Sequence, residues 1–272
     1  MIVAGLVLAL VSAVAIGGGY ALQHASASKL PPLNVRRPVQ SLVLLFRSGT
    51  WAVGFFAGIG GWVLYVVALR LAPLSLVQAA SAGGVGVLAL GGRLRPAERF
   101  GVAAALGGLV LLGLSVPSHP PTGHGHAVAV IAWVGGSLAL AGLVSRLRPT
   151  AAGLGTAAGV LYAAGDVATK AAVVGGARLA FVPVLLACHG LAFVSLQLAF
   201  QRGSKLASAG LAVLWTNALP IAAGSVLFAE SLPGGVRGGL RIAAFALVLA
   251  GAVALSRRGE GDLPVAPVSL TD

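Results

Sequence analysis

The sequence predicts an all-α polytopic membrane protein of about nine transmembrane helices, built as an inverted repeat of two four-helix units joined by one linker helix. Three observations predict it. Hydrophobic residues make up 58% of the chain and charged residues only 9%, whereas a soluble domain carries about 25% charge. The apolar residues come in runs near the length of roughly 17–25 residues that a bilayer demands. The basic residues, which give a formal net charge of +12, lie almost wholly in the short connections between those runs. That distribution is membrane topology and not a polyanion-binding patch.

Taken in order, Ile2 to Leu22 is the first apolar span. Ala25-Ser26-Ala27 imitates a signal-peptidase site, but the charge (Lys29, Arg36, Arg37) follows the apolar run instead of preceding it, so a permanent helix is expected. Residues 25–49 form the longest polar connection, with Pro31-Pro32 and a short amphipathic piece from Ser41 to Phe46 that is too short to span and is expected at the interface. Further spans are expected at about 50–69, 73–91, 100–116, 127–144, 153–175, 179–200, 205–229 and 238–256. Arg70 and Pro73 leave only a tight turn before the third span, and the tail from Arg257 has no apolar run and is expected to be disordered.

Counting Lys and Arg on alternate sides gives the orientation. One side holds Lys29, Arg36, Arg37, Arg47, Arg93, Arg95, Arg99, Arg146, Arg148, Arg202, Lys205, Arg257 and Arg258. The other holds Arg70, Arg178 and Arg237, with Arg241 just inside a span. This bias places the N-terminus outside and the C-terminus in the cytoplasm, in the cytoplasmic membrane.

The chain also matches itself. Tyr20 aligns with Tyr162, Ala68-Leu69 with Ala199-Phe200, Leu94 with Leu232, Gly101 with Gly239, and Leu109-Val-Leu-Leu-Gly113 with Leu247-Val-Leu-Ala-Gly251. The matches keep their order along the chain. They divide it into a first repeat at 1–116, an outer loop and linker helix at 117–150, a second repeat at 151–256 and a cytoplasmic tail at 257–272. Two four-helix units separated by one extra helix have opposite orientations, the plan that puts a substrate path between the halves near the midplane. The 40 glycines fit close helix packing, with Gly54-Phe-Phe-Ala-Gly58 as one small-xxx-small face.

The run 152–174 contains an acid and a base inside an apolar span. Asp166 is the only acidic residue deep in any span, and Lys170 follows it by four residues on the same helical face. An ion in hydrocarbon is costly and marks either a functional site or a self-neutralised pair. Two readings follow: a structural Asp166–Lys170 pair, with Lys170 snorkelling toward the interface, or a role in handling substrate or protons.

Other polar residues in spans are candidates for the same path. The repeat sets Tyr20 against Tyr162 and His24 against Asp166, and Gln23 lies next to His24. His189 in the seventh span, with Gln197 two turns on, can line a cavity or serve as a packing histidine. Asn217 precedes Pro220, which frees a backbone carbonyl and kinks a span. Trp62, Tyr65, Tyr20, Tyr162 and Trp215 can wall an organic cation or amine, although interface belts use the same residues. His119, His124 and His126 form the only histidine cluster, and His124 and His126 are a weak metal candidate on an outer loop. Cys188 is the single cysteine, which excludes an intrachain disulfide or cysteine metal cage; within a span it is expected to act as a small hydrophobe. Gly83-Gly84-Val85-Gly86 lies in an apolar helix, so no dinucleotide loop is implied, and no hydrolase constellation is present.

The stretch Ala68-Leu-Arg-Leu-Ala-Pro-Leu-Ser-Leu76 resembles a helix-opening motif of the drug/metabolite transporter (EamA-like) superfamily. Gly91-Gly-Arg-Leu94 and Ala229-Glu-Ser-Leu232 are similar to its turn before the last helix of each repeat, and Gly101 and Gly239 to the glycine that opens that helix. The first helix, Ala9 through His24, is most similar to the NIPA-like magnesium-transporter branch. Gly92 stands where the first turn would carry a glutamate, and Gln23 and His24 where the family carries lysines. The resemblance implies a secondary transporter of a small solute (metabolite, amine or cation) working by alternating access, not an enzyme. It needs no cofactor and can couple to a proton or cation. A Mg²⁺ or divalent-cation transporter and a non-transporting scaffold or partner subunit are the alternatives. A bare divalent cation wants several oxygen ligands, preferably carboxylates. With only Asp166 available, an organic solute comes first. The partners expected are the lipid bilayer and the solute, with a homodimer left open and no nucleic acid.

Overall fold

The computed structural model of the chain describes residues 2–34, 36–71, 77, 80–81, 87–89, 94–115, 126–172, 176–227 and 235–256, with the side chains of some positions inside these helices, Lys170 among them, left undescribed. It is all-α among the described residues. The helices are α1 (Ile2–Ala27), α2 (Pro38–Phe46), α3 (Gly49–Leu71), α4 (Pro96–Ser115), α5 (Ala127–Leu147), α6 (Ala151–Ala172), α7 (Phe181–Phe200), α8 (Leu211–Leu227) and α9 (Gly235–Ser256). A 3₁₀ turn at Gly176–Ala180 leads into α7, and a π turn at Leu206–Gly210 leads into α8. Among the described residues, four stretches are long and apolar enough to cross a membrane: Val3–Ala27, Gly49–Ala68, Ala127–Leu147 and Gly176–Phe200. The chain is therefore a membrane-embedded helical protein.

Local chemistry sets the helix limits. α1 continues past Leu22 to Ala27, so Gln23, His24 and the Ala25-Ser26-Ala27 triplet are helical, whereas the apolar run alone ends at Leu22. Hydropathy falls there, but no residue interrupts the backbone ladder until Pro31-Pro32, and Ser28 N–H still donates to His24 O at 3.1 Å. The amphipathic piece after it is a nine-residue helix with a proline in its first turn, too short to span. Side-chain oxygens begin the next helices: Ser48 Oγ accepts from Trp51 N–H at 3.3 Å, and Thr150 Oγ1 from Gly153 N–H at 3.2 Å. The expected span at 179–200 begins in the 3₁₀ turn, and the one at 205–229 begins in the π turn. Most of the expected span at 73–91, the Gly91-Gly-Arg turn, Gly83–Gly86, His119, His124, the Ala229-Glu-Ser-Leu232 turn and the tail from Arg257 lie outside the described residues. His126 is the exposed residue that precedes α5.

α1 lies along α3, α4 along α9, and α6 along α5, α7 and α8. In lipid there is little hydrophobic force between helices, so association depends on close contact and interhelical hydrogen bonds. The α1–α3 seam shows both. A Cβ added at Gly19 would lie 2.6 Å from Gly54 O, and one at Gly54 the same distance from Gly19 O, so only glycine permits this approach. Ser12 Oγ then donates to Gly61 O at 2.7 Å. Gly54 is thus the working member of the small-xxx-small face expected on α3.

Candidate functional site

A cavity of about 430 Å³ lies between α1 and α3 on one side and α6, α7 and α8 on the other. Each helix contributes one face. α1 supplies Ala13, Ile16, Tyr20 and Gln23, at three- and four-residue steps, and α3 supplies Phe55, Gly58, Ile59, Trp62 and Tyr65 in the same rhythm. Tyr162 and Asp166, one turn apart, come from α6; Leu185, Leu186, His189 and Phe193 from α7; Val213, Thr216 and Asn217 from α8. Ser81 adds a hydroxyl that is buried and has no hydrogen-bond partner among the described residues.

Six of the eight sequence candidates meet here: Tyr20, Gln23, Tyr162, Asp166, His189 and Asn217. Of the aromatic candidates, Trp62 and Tyr65 join them, while Trp215 lies outside this lining. Cys188 is buried beside the site in an apolar cluster with Val130, Val134, Ala164 and Val167. The side chain of Lys170 lies outside the described residues.

Asp166 is the carboxylate of the cavity and His189 its counterpart. His189 Nε2 stands 3.7 Å from Asp166 Oδ1, with the histidine side chain 26% and the aspartate side chain 20% exposed. The opposite ring nitrogen, Nδ1, donates to the carbonyl of Leu185 at 2.8 Å, which fixes the ring. The edge of the imidazole also meets the Tyr162 ring, 5.7 Å between centroids. Tyr20 of α1 and Tyr162 of α6 both face this cavity. No described lining residue is a lysine or arginine.

α8 is irregular on both sides of its cavity face. Pro220 sits inside the helix and has no N–H to give the Thr216 carbonyl. Asn217 Nδ2 donates to Val213 O at 2.7 Å within the helix, and Thr216 Oγ1 reaches Gly159 O of α6 at 3.5 Å. Before α8, the π turn brings Ser208 against Gly155, where a Cβ would collide with Ser208 O. Such breaks in a membrane helix are tolerated where they face protein or a cavity.

His24 does not line the cavity. Its Nε2 donates to Gly203 O at 2.8 Å, and its ring meets Phe200 edge-on at 5.7 Å. It belongs to a polar clamp below the cavity that sequence reasoning did not assemble. There, Gln197 Nε2 donates to Gln23 Oε1 at 2.7 Å while Gln197 Oε1 accepts from Trp51 Nε1 at 2.9 Å. One turn on, Gln201 Nε2 donates to Ala27 O at 3.1 Å and Pro31 O at 3.0 Å, and Gln201 Oε1 accepts from Leu33 N–H at 3.0 Å. Two glutamines inside apolar helices and a third just past the end of α7, four residues after Gln197, were the available signal.

No family model, no curated protein and no solved structure matches the chain. The site therefore has to speak through its own chemistry. Its described lining offers one carboxylate, one imidazole, four phenol or indole faces and neutral amides and hydroxyls. Among the described residues no group of three or more His, Cys, Asp or Glu is placed to hold a metal ion. A hard divalent cation, which seeks six or more oxygens, would find a single carboxylate in this lining. A cationic amine finds a counter-ion and aromatic faces.

Proposed function

We propose that the protein is a secondary transporter that carries a small organic solute, with a cationic amine as the preferred class, across the cytoplasmic membrane by alternating access. The observation that carries this reading is the cavity itself, which Asp166 lines together with Tyr20, Trp62, Tyr65 and Tyr162. An ionisable residue inside a membrane protein that faces a cavity marks a substrate or ion path, and aromatic faces around a carboxylate favour an organic cation.

The inverted-repeat reading has support of the same kind. Tyr20 and Tyr162, matched positions of the two sequence repeats, line the same cavity, as residues close to a pseudo-twofold axis would. α1 packs on α3 as α6 packs on α7, the two pairings that the sequence repeat would match, and α4 lies along α9. Nine spans, with the N-terminus outside and the C-terminus cytoplasmic, follow from the apolar runs and the Lys and Arg bias, and the 1–116, 117–150, 151–256 and 257–272 division goes with them. Membership of the drug/metabolite transporter superfamily is part of the same proposal. It rests on the short motifs alone.

The test is uptake into proteoliposomes holding the purified full-length protein, against a panel of amines, amino acids and divalent cations. Saturable uptake of a monoamine that is lost in Asp166→Asn supports the proposal. Uptake of Mg²⁺ but of no organic solute would replace it with the divalent-cation alternative, and no uptake of any solute would favour a scaffold.

A further inference from the structure

We infer that Asp166 and His189 form a one-proton exchange dyad, in which an organic monocation takes the place of the single proton that the empty cavity holds between Oδ1 and Nε2. The inference deepens the transporter reading and rests on it.

The ring geometry carries the inference. The Leu185 carbonyl can only accept, so the 2.8 Å contact commits Nδ1 to carry a hydrogen whether the ring is charged or neutral. Nε2 is then the titrating nitrogen, and it is the one that stands 3.7 Å from Asp166 Oδ1. With no proton between them, a lone pair faces a carboxylate and the cavity carries an unbalanced negative charge. With two protons, the carboxyl is neutral and the imidazolium is left uncompensated. One proton makes the pair neutral overall, the only one of the three states that avoids a net buried charge.

Among the described residues, the groups that share the cavity with the dyad add no charge to that balance. α1 presents Tyr20, α3 Tyr65 and α6 Tyr162, all phenols that are neutral near pH 7. α8 presents Thr216 and Asn217, which do not titrate. Lys170 lies one turn along α6 in sequence.

A monocation S⁺ beside the carboxylate would sit against an imidazolium if the proton stayed. Exchange removes the conflict: S⁺ enters, Nε2–H gives its proton to water at the open side, and Asp166 carboxylate, S⁺ and neutral His189 remain. Charge balances before and after, with one proton leaving for each cation bound. The same step in reverse unloads the substrate when a proton returns, so the two ligands exclude each other at one site.

The test uses the purified full-length protein with benzyltrimethylammonium, whose fixed charge cannot titrate, and neopentylbenzene as its neutral isostere. Calorimetry in buffers of different ionisation enthalpy should show about one proton released per cation bound near neutral pH. Below the midpoint, affinity should fall about tenfold per pH unit. In His189→Gln, where the carboxylate is the only base left, the midpoint should move by at least about one pH unit toward acid, and proton release at neutral pH should vanish. A midpoint unmoved in His189→Gln overturns the dyad while leaving the transporter reading intact. So does cation binding to the native protein without proton release, a measurement that stands even if the variant fails to insert. Equal binding of the two isosteres removes the carboxylate from recognition, and no binding of either removes the transporter reading together with the dyad.

Discussion

Gly165 of α6 lies directly beneath the imidazole of His189: a Cβ built on Gly165 would fall onto the ring at Cε1 and Nδ1. The missing side chain is what lets α7 lay its histidine across α6 and present Nε2 to Asp166. Gly165 therefore sets the geometry of the site without contributing a polar atom.

Gly165→Ala should displace the ring, because the colliding atoms belong to an imidazole already tied to Leu185. Overpacking of this kind costs about 1–3 kcal/mol. The expected outcome is a lower unfolding temperature in detergent together with a shifted pH profile of transport. A shifted profile separates loss of the Asp166–His189 geometry from simple destabilisation. An Ala variant with native stability and native pH dependence would show that the ring has room to move.

The clamp below the cavity gives a second prediction. Gln197 is 2% exposed and serves Gln23 and Trp51 together, so Gln197→Leu strands a buried acceptor on one side and a buried indole N–H on the other. Each stranded group costs about 1–3 kcal/mol. Gln23→Leu combined with Gln197→Leu should cost less than the sum of the two single changes, with a coupling of about 0.5–3 kcal/mol in a thermal-stability cycle. Strict additivity would show that the amide pair does not bind α1 to α7.

The helices and much of the site were legible in the sequence because the bilayer imposes them. An apolar run of fixed length is a helix, and an acid inside it faces something polar. Asp166, Tyr162, Tyr20 and His189 could each be picked as polar or aromatic residues out of place. Their pairing could not. Spacing within one helix relates Asp166 to Lys170, whereas His189 arrives on α7 through a register that only the packing of Gly165 fixes. The glutamine clamp was hidden for the same reason: Gln23 and Gln197 are 174 residues apart, and nothing local to either sets their meeting. α1 runs past the apolar span to Ala27 because hydropathy marks where lipid ends, while proline marks where the helix does.

Topology is tested directly. Cysteine labels at Arg36, Arg95 and Arg148 and a reporter fused after Asp272 should report cytoplasm, and a label at Gly123 should report the outside. Native Cys188 is buried, so background labelling from within the membrane should be low. Gly123 and Arg95 on the same side would break the nine-span count and with it the opposed orientation of the two halves.

The decisive variant is Asp166→Asn. If the carboxylate is the counter-ion of a cationic solute, the amide keeps the shape of the side chain and removes the charge, so transport should fall by two orders of magnitude or more (about 3 kcal/mol or more at 1.4 kcal/mol per tenfold) while the protein remains inserted at near-native abundance. His189, held by Leu185, can shed its proton when the carboxylate is gone, so no buried charge need be left on α7. Lys170 supplies the competing explanation, a carboxylate present only to neutralise a lysine one turn away. That explanation makes Asp166→Asn unstable and the double change Asp166→Asn with Lys170→Met both stable and active, because removing both partners of a buried pair is far milder than removing one. The cavity position of Asp166 makes the opposite prediction for activity: the double variant should insert well and still fail to transport. Recovered transport in the double variant would assign the carboxylate to Lys170 and move the substrate path elsewhere along the lining, to Asn217 and the carbonyl that Pro220 frees.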